Sequence, residues 1–310
     1  MRQALLRLSV NHTKLLGVLA AFTMMLIWSG WIVSSRQGLT TSLSPLDITW
    51  MRFVVASLIT LPIALSYHWR TFPVRKACFI ALSYGAPYAW LAYLGLIITP
   101  SANASVIING GLPVATSLIA VLFFGARVTK GVILLIGFIF LANILTFMDA
   151  ELFNRRYFIG VSLLAVATVS LAIYMAAVKA WEVSVKDIMV WVPLINTAVM
   201  TPIWLVFSDG LTSFTSLPVN ELLFHVIYQG VIVSVVALFL FSFAIRAIGA
   251  VASSVLMAFV PSVTAVLALV FNNEVPNSLQ WLGIACCSIG LIIYSSWDIF
   301  RKKFTRPINR

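Results

Sequence analysis

Polar side chains that recur on single faces of otherwise apolar helices are where this sequence concentrates its chemistry. Ser105, Asn109 and Thr116 stand at i, i+4 and i+11 with Pro113 between them. At 3.6 residues per turn they make one narrow polar face. The Asn109 amide has no partner in lipid, so it must face protein or water. Pro113 lacks an N–H and frees a carbonyl close to Asn109, where that carbonyl can accept from a ligand. A later stretch repeats the face as Ser253, Met257 and Thr264, with Pro261 in the place of Pro113. Small polar residues also let helices approach closely, and packing is the plainer role for Ser105 and Ser253.

The aromatic residues form a second group. Tyr84 and Tyr88 lie one turn apart beside Gly85, Pro87 and Trp90, Trp28 and Trp31 follow each other at i, i+3, and Tyr174 lies in a later apolar stretch. Deep in such segments their polar tips need partners, which a cavity wall supplies better than an interfacial belt. Trp69, Trp181 and Trp297 fit the belt. Gln229 and Asn196 are further interior amides, Asn143 is expected to bond between helices, and His225 to sit at an interface. Arg52 is the deepest charge, and two roles are open to it. It can snorkel toward headgroups or Asp47, or it can serve as a gate or as the partner of an anion. Arg52, Pro113 and Pro261 are therefore the candidate gate and helix-break positions.

Other chemistries have no residues to carry them. The three histidines, His12, His68 and His225, do not cluster, and Cys78, Cys286 and Cys287 have no zinc spacing and read as small core residues. No carboxylate lies deep in an apolar segment, which argues against a carboxylate proton relay. No phosphate-binding G-x-x-x-x-G-K-[ST] loop occurs either. The expectation is a protein that is not an enzyme and has no cofactor and no metal.

The elements that must position these residues follow from composition. Of 310 residues 61% are hydrophobic and only 9% charged, and the mean hydropathy is +1.04. Soluble domains are about 45–50% apolar and about 25% charged, so this chain belongs in lipid. Ten segments approach the roughly 20 apolar residues that a bilayer requires. They are Leu15–Ser34, Leu46–Tyr67, Ala77–Ile98, Ala102–Phe124, Gly131–Met148, Phe158–Val178, Ile188–Phe207, Leu222–Ile245, Ala250–Phe271 and Leu279–Trp297. The first is too long for a signal peptide core and no small-x-small site follows it, so it reads as a retained span. With both termini in the cytoplasm, 16 of the 20 basic residues fall inside, and only Arg36, Arg52, Arg155 and Arg156 fall outside. That asymmetry orients the chain. The net charge of +11 then faces lipid headgroups rather than nucleic acid.

The sequence also repeats itself. Ala102, Ala104, Ser105, Pro113, Thr116, Ala120 and Phe123 match Ala250, Ala252, Ser253, Pro261, Thr264, Ala268 and Phe271 at one separation, 148 residues. At a slightly shorter one Gly17-Val18 matches Gly160-Val161. Residues 1–149 and 150–310 are thus expected to be two five-helix copies. An odd number of spans per copy inverts the second, an arrangement common in secondary transporters.

The chain resembles the EamA-type ten-helix transporters of the drug/metabolite transporter superfamily. The resemblance is carried by Trp28-Ser29-Gly30, by Pro45-Leu46 followed by Arg52-Phe53, by Ser101–Ser105 ending at Pro113, and by Gly249–Ser253 ending at Pro261. Glu274-Val275 sits where the family often has Glu-Arg, whereas the first copy has Gly125-Ala126-Arg127 and lacks the acid. The resemblance implies an all-α polytopic bundle of two inverted five-helix repeats. Its cavity would lie among the first, third, fourth, sixth, eighth and ninth spans, with the fifth and tenth peripheral. The expected lining is Trp28, Trp31, Tyr84, Tyr88, Ser105, Asn109, Thr116, Tyr174, Gln229, Ser253 and Thr264. Such a cavity is neutral, aromatic and amide-rich, which suits a small amphipathic or zwitterionic solute such as an amino acid. The resemblance further implies export across a bacterial cytoplasmic membrane. The expected partners are a small-molecule substrate and the lipid bilayer, without nucleic acid. A broad-specificity drug exporter is the nearest alternative. A membrane-embedded enzyme or a sensor would need clustered catalytic residues or a partner domain.

Overall fold

Apolar helices account for nearly everything described in the computed structural model, which covers residues 2–41, 43–69, 71–125, 130–147, 154–215, 217–248, 253 and 256–304. Among the described residues eight helices are long and apolar enough to cross a bilayer. They are Thr13–Leu39, Pro45–Leu65, Val74–Ile98, Ser101–Phe123, Arg155–Ala180, Val185–Phe207, Val219–Phe241 and Ser278–Ser296. Two shorter apolar helices, Lys130–Leu145 and Val260–Asn272, stand at the expected fifth and ninth spans. The chain is thus an all-α polytopic membrane protein, its spans numbered first to tenth in chain order. Met148 and most of the start of the ninth expected span, Ala250 to Ala252, lie outside the described residues.

The packing repeats itself when the two halves are exchanged. The first span packs along the eighth and ninth, and the sixth packs along the third and fourth. The second meets the seventh, the fourth the ninth, and the fifth the tenth. The second and seventh spans open alike, with capping boxes Ser44/Asp47 and Ser184/Asp187. Each box satisfies two of the N–H groups that a helix start leaves without partners. Ser57 Oγ and Thr197 Oγ1, which share the 140-residue separation of the two boxes, lie 2.8 Å apart. At the 148-residue separation, Gly125 (φ 61°) and Asn273 (φ 53°) end the fourth and ninth spans in the same left-handed conformation. Glycine and asparagine tolerate it best.

Two cores result. The larger joins the first, second, third, sixth, seventh and eighth spans with part of the fourth, and a smaller one, around Leu135, Ala142, Ala265, Ile284 and Cys287, joins the fourth, fifth, ninth and tenth. Gly290 lets the tenth span close on Phe138 of the fifth. Exposed Leu122, Phe123, Phe140, Leu205 and Phe207 clothe the outside, the surface that hydrocarbon solvates.

Four of the described spans are irregular, and three of them carry a proline at or just after the irregularity. The third breaks at Gly85 into Val74–Tyr84 and Ala86–Ile98. Pro87 has no N–H for the Ser83 carbonyl, and Ser170 Oγ of the sixth span donates to it instead at 2.5 Å. Asn196 of the seventh span fills the break. Its Oδ1 accepts from Ala86 N–H at 2.6 Å, and its Nδ2 donates to the Ala81 and Val192 carbonyls. A Cβ at Gly85 would run into that amide. Asn196→Leu leaves the buried Ala86 N–H without an acceptor, at an expected cost of about 1–3 kcal/mol. Gly85→Ala displaces the same amide, so both variants should melt below the parent in one thermal assay. The fourth span widens into a π-helical turn, Val106–Gly110, immediately before the segment holding Pro113. The ninth turns at Ala258-Phe259, just before Pro261. The eighth is π-helical from Val226 to Val236, a geometry frequent at functional sites.

Candidate solute cavity

The second and seventh spans run antiparallel and are tied at both ends. Asp47, near the start of the second, accepts from Trp204 Nε1 (2.8 Å) and Ser208 Oγ (2.7 Å) at the end of the seventh. Tyr67, just past the end of the second, donates to Asp187 near the start of the seventh. Around this pair the third, sixth, first and eighth spans enclose a cavity of about 90 Å³. That is well below the roughly 300–1,000 Å³ of sites for drug-sized ligands.

Arg52 contributes the cavity's charge. It lies about 10 Å into the second span, at 1.5 Å per residue from Pro45, and is 4% exposed. Its Nε donates to Ser234 Oγ at 3.2 Å, its guanidinium lies 5.9 Å from the Trp31 ring centroid and 5.8 Å from that of Phe53, and the phenols of Tyr93, Tyr84 and Tyr88 surround it. Arg52 therefore does not snorkel to Asp47, whose oxygens are taken by Ser44, Trp204 and Ser208. The rest of the wall is apolar or aromatic. Trp28 stacks on Phe241 at 6.0 Å and Tyr84 on Tyr174 at 4.7 Å. Met24, Ala56, Ile188, Met189, Val192 and Pro193 complete it, with Thr60 and Ser234 as the neutral polar members. Among the described residues no carboxylate lines it. The expected neutral lining is corrected here: the cavity holds one cation.

The two ends of the cavity differ. Thr60 of the second span and Ile188 and Met189 of the seventh extend it toward the face where Arg75, Lys76, Lys179 and Lys186 cluster. In the other direction it is closed. Trp31 stacks on Tyr88 at 6.4 Å and leans on Tyr93 at 6.2 Å. Gln229 donates to Ser35 Oγ at 2.9 Å, and Tyr93 donates to its amide oxygen at 3.4 Å. Beyond them Arg36 Nε and Glu274 Oε1 form an ion pair at 2.6 Å. Arg36 also donates to the Leu96 and Thr99 carbonyls that end the third span, and Glu274 accepts from Ser101 N–H (2.7 Å) and Oγ (3.0 Å) at the start of the fourth. One pair thus fastens the first, third, fourth and ninth spans.

The structure brings together Trp28, Arg52, Tyr84 and Tyr174 on the wall and Trp31, Tyr88 and Gln229 in the closed end. The fourth- and ninth-span candidates do not line this cavity. Asn109 Nδ2 donates to Ser105 O and Oγ in its own helix, both at 3.2 Å, and Thr116 Oγ1 donates to the Leu112 and Pro113 carbonyls. Ser105, Ser253 and Thr264 are buried. Pro113 and Pro261 mark the irregular turns of their spans. Ser29, of the Trp28-Ser29-Gly30 motif, donates to the Val260 carbonyl beside Pro261. Two minor expectations are also corrected. Asn143 bonds within its own helix, to Ile139, and His225 is buried against Gly38. Sequence reasoning missed the second and seventh spans as walls. The available signal was Arg52, Phe53, Ala56 and Thr60, which fall on one helical face.

The sequence matches the EamA-like transporter family twice, over residues 15–148 and 158–296. A protein of known crystal structure superposes with a TM-score of 0.64 at 16% identity, over 94% of this chain and 99% of that one, which is a likeness of fold. Among curated proteins none matches the sequence. The two family matches cover most of the chain, one for each half of the exchange-symmetric packing, and the chain belongs to the EamA-like transporter family.

Proposed function

We propose that this chain is a secondary transporter that exports a small amphipathic organic solute, an amino acid or a close relative, by alternating access. The observation that carries the reading is a central cavity between the two halves that is fastened shut toward one face. Residues 1–149 and 150–310 act as the two moving copies, inverted because each crosses the membrane five times. The packing that survives their exchange supports this. Both termini lie in the cytoplasm, by the distribution of basic residues, and the family resemblance implies a bacterial membrane. The cavity then extends toward the cytoplasm, and the Arg36–Glu274 pair closes the exterior.

Orientation is tested by cysteine labelling in intact cells, on a background lacking the three native cysteines. Asp209→Cys should react with an impermeant thiol reagent and Arg75→Cys should not. Reaction at Arg75→Cys alone would reverse the orientation. Transport is tested in proteoliposomes loaded with a panel of amino acids, organic acids, amines and cationic dyes, with and without a pH gradient. Selective efflux of the amphipathic solutes supports the reading. Efflux of the dyes alone would favour a drug exporter.

A further inference from the structure

Resting on that reading of the cavity, we infer that its solute is recognised by a single carboxylate held at Arg52, with an apolar body lying against Trp28, Tyr84, Tyr174 and Phe241. A buried guanidinium is costly unless paired. Arg52 lies beside polar side chains and aromatic rings, and among the described residues the one ion pair is Arg36–Glu274. Its hydrogen-bond partners are the neutral hydroxyls of Ser234 and Tyr93, and neither carries a charge that answers the guanidinium. On the same cluster the buried Trp31 indole N–H also has no acceptor. A cation without a counter-charge and an indole N–H without an acceptor at one end of an apolar cavity call for an anionic acceptor, and a carboxylate meets a guanidinium fork with two parallel bonds.

Charge balance narrows the class. One cation neutralises one negative charge, so a phosphate dianion would leave a charge unpaired within the membrane. Among the described residues no carboxylate in the lining answers an ammonium. The α-amino group of an amino acid therefore contributes little, and a monocarboxylate without it binds at least as well. Val192 stands at the position of Arg52 in the second copy, at the 140-residue separation of the capping boxes, and lines the same cavity. The duplication thus supplies a cation from one side only.

The test uses the full chain in lipid nanodiscs and four probes with one body: 4-methylpentanoate, 4-methylpentanamide, 3-methylbutylamine and leucine. Binding is read by calorimetry and by quenching of tryptophan fluorescence. The carboxylate should bind at least as tightly as leucine and at least about tenfold more tightly than the amide or the amine. Arg52→Gln should erase the preference for carboxylate over amide, and Arg52→Lys should keep part of it. The ranking on the unmodified chain decides the matter even if the variants fold poorly. Amine or amide binding as tight as the acid overturns the inference. If none of the four binds while proteoliposomes still move other solutes, the inference falls and the transport reading stands. If nothing binds and nothing moves, both fall.

Discussion

Replacing Glu274 by Gln is expected to open the closed end of the cavity and to cut net transport at least about tenfold. Its two oxygens serve Arg36, the Ser101 hydroxyl and the Ser101 N–H. A glutamine keeps one acceptor and turns an NH2 toward groups that are themselves donors. Breaking one side of a fully buried pair costs about 3–5 kcal/mol. Here the side chains are 18% and 19% exposed, so solvent screening lowers the cost to about 2–3 kcal/mol. At 1.4 kcal/mol per decade the closed form loses at least about tenfold in population. The direct readout is Thr99→Cys, a buried position beside the lock, again without the native cysteines. It should resist an impermeant reagent with Glu274 present and react with Glu274→Gln. Arg36→Gln should produce the same exposure, and the double variant should add little. Protection unchanged in all three would show that the pair only joins helices. The first copy has Gly125-Ala126-Arg127 where the second has Asn273-Glu274-Val275, so the acid of the lock has no counterpart in the first copy's sequence. A lock on one side alone biases the resting molecule toward that closure. For an exporter, that leaves the cavity on the cytoplasmic side, where the solute waits.

Hydropathy made the spans legible because lipid acts on every residue of a segment at once, and the 148-residue repeat gave the fourth and ninth spans as copies. The structure carries that register further, to the left-handed residues Gly125 and Asn273. What hydropathy does not encode is direction around a helix, which packing sets. Asn109 and Asn196 look equivalent in sequence, yet Asn109 bonds back to Ser105 while Asn196 repairs the break that Gly85 and Pro87 make in a neighbouring span. The difference lies in the partner helix, some 110 residues away. His225 read as interfacial because histidine is polar. It is buried because Gly38 offers the first span a bare face there. The second repeat register was available in Ser44-Pro45-Leu46-Asp47 and Ser184-Val185-Lys186-Asp187, and it would have marked the second and seventh spans as the facing pair. The cation on the cavity wall follows from that pairing, since it fixes which side Arg52 turns to the middle of the molecule.

The same pairing yields a stability prediction in which one motif has two outcomes. Asp47 and Asp187 each close a capping box at the start of a helix, and losing such a cap costs about 0.5–2 kcal/mol. Their surroundings differ. Asp187 sits near a membrane face, partly exposed, with Tyr67 as its other partner. Asp47 is 2% exposed and also holds Trp204 Nε1 and Ser208 Oγ across the seam. Trp204 in turn stacks on Trp50 at 4.0 Å. Asp47→Ala leaves those donors unanswered, and each buried orphan adds about 1–3 kcal/mol to the lost cap. The expected loss is about 3–5 kcal/mol for Asp47→Ala, against about 1–2 kcal/mol for Asp187→Ala. Asp47→Asn keeps an acceptor for Trp204 but turns an NH2 toward the Ser44 hydroxyl and N–H, so it should fall between them. Melting curves of the three variants in one detergent give the order. Equal losses for the two alanine variants would mean that the Trp204 and Ser208 bonds contribute nothing, and that the seam holds by the ring stack and the Ser57–Thr197 contact alone.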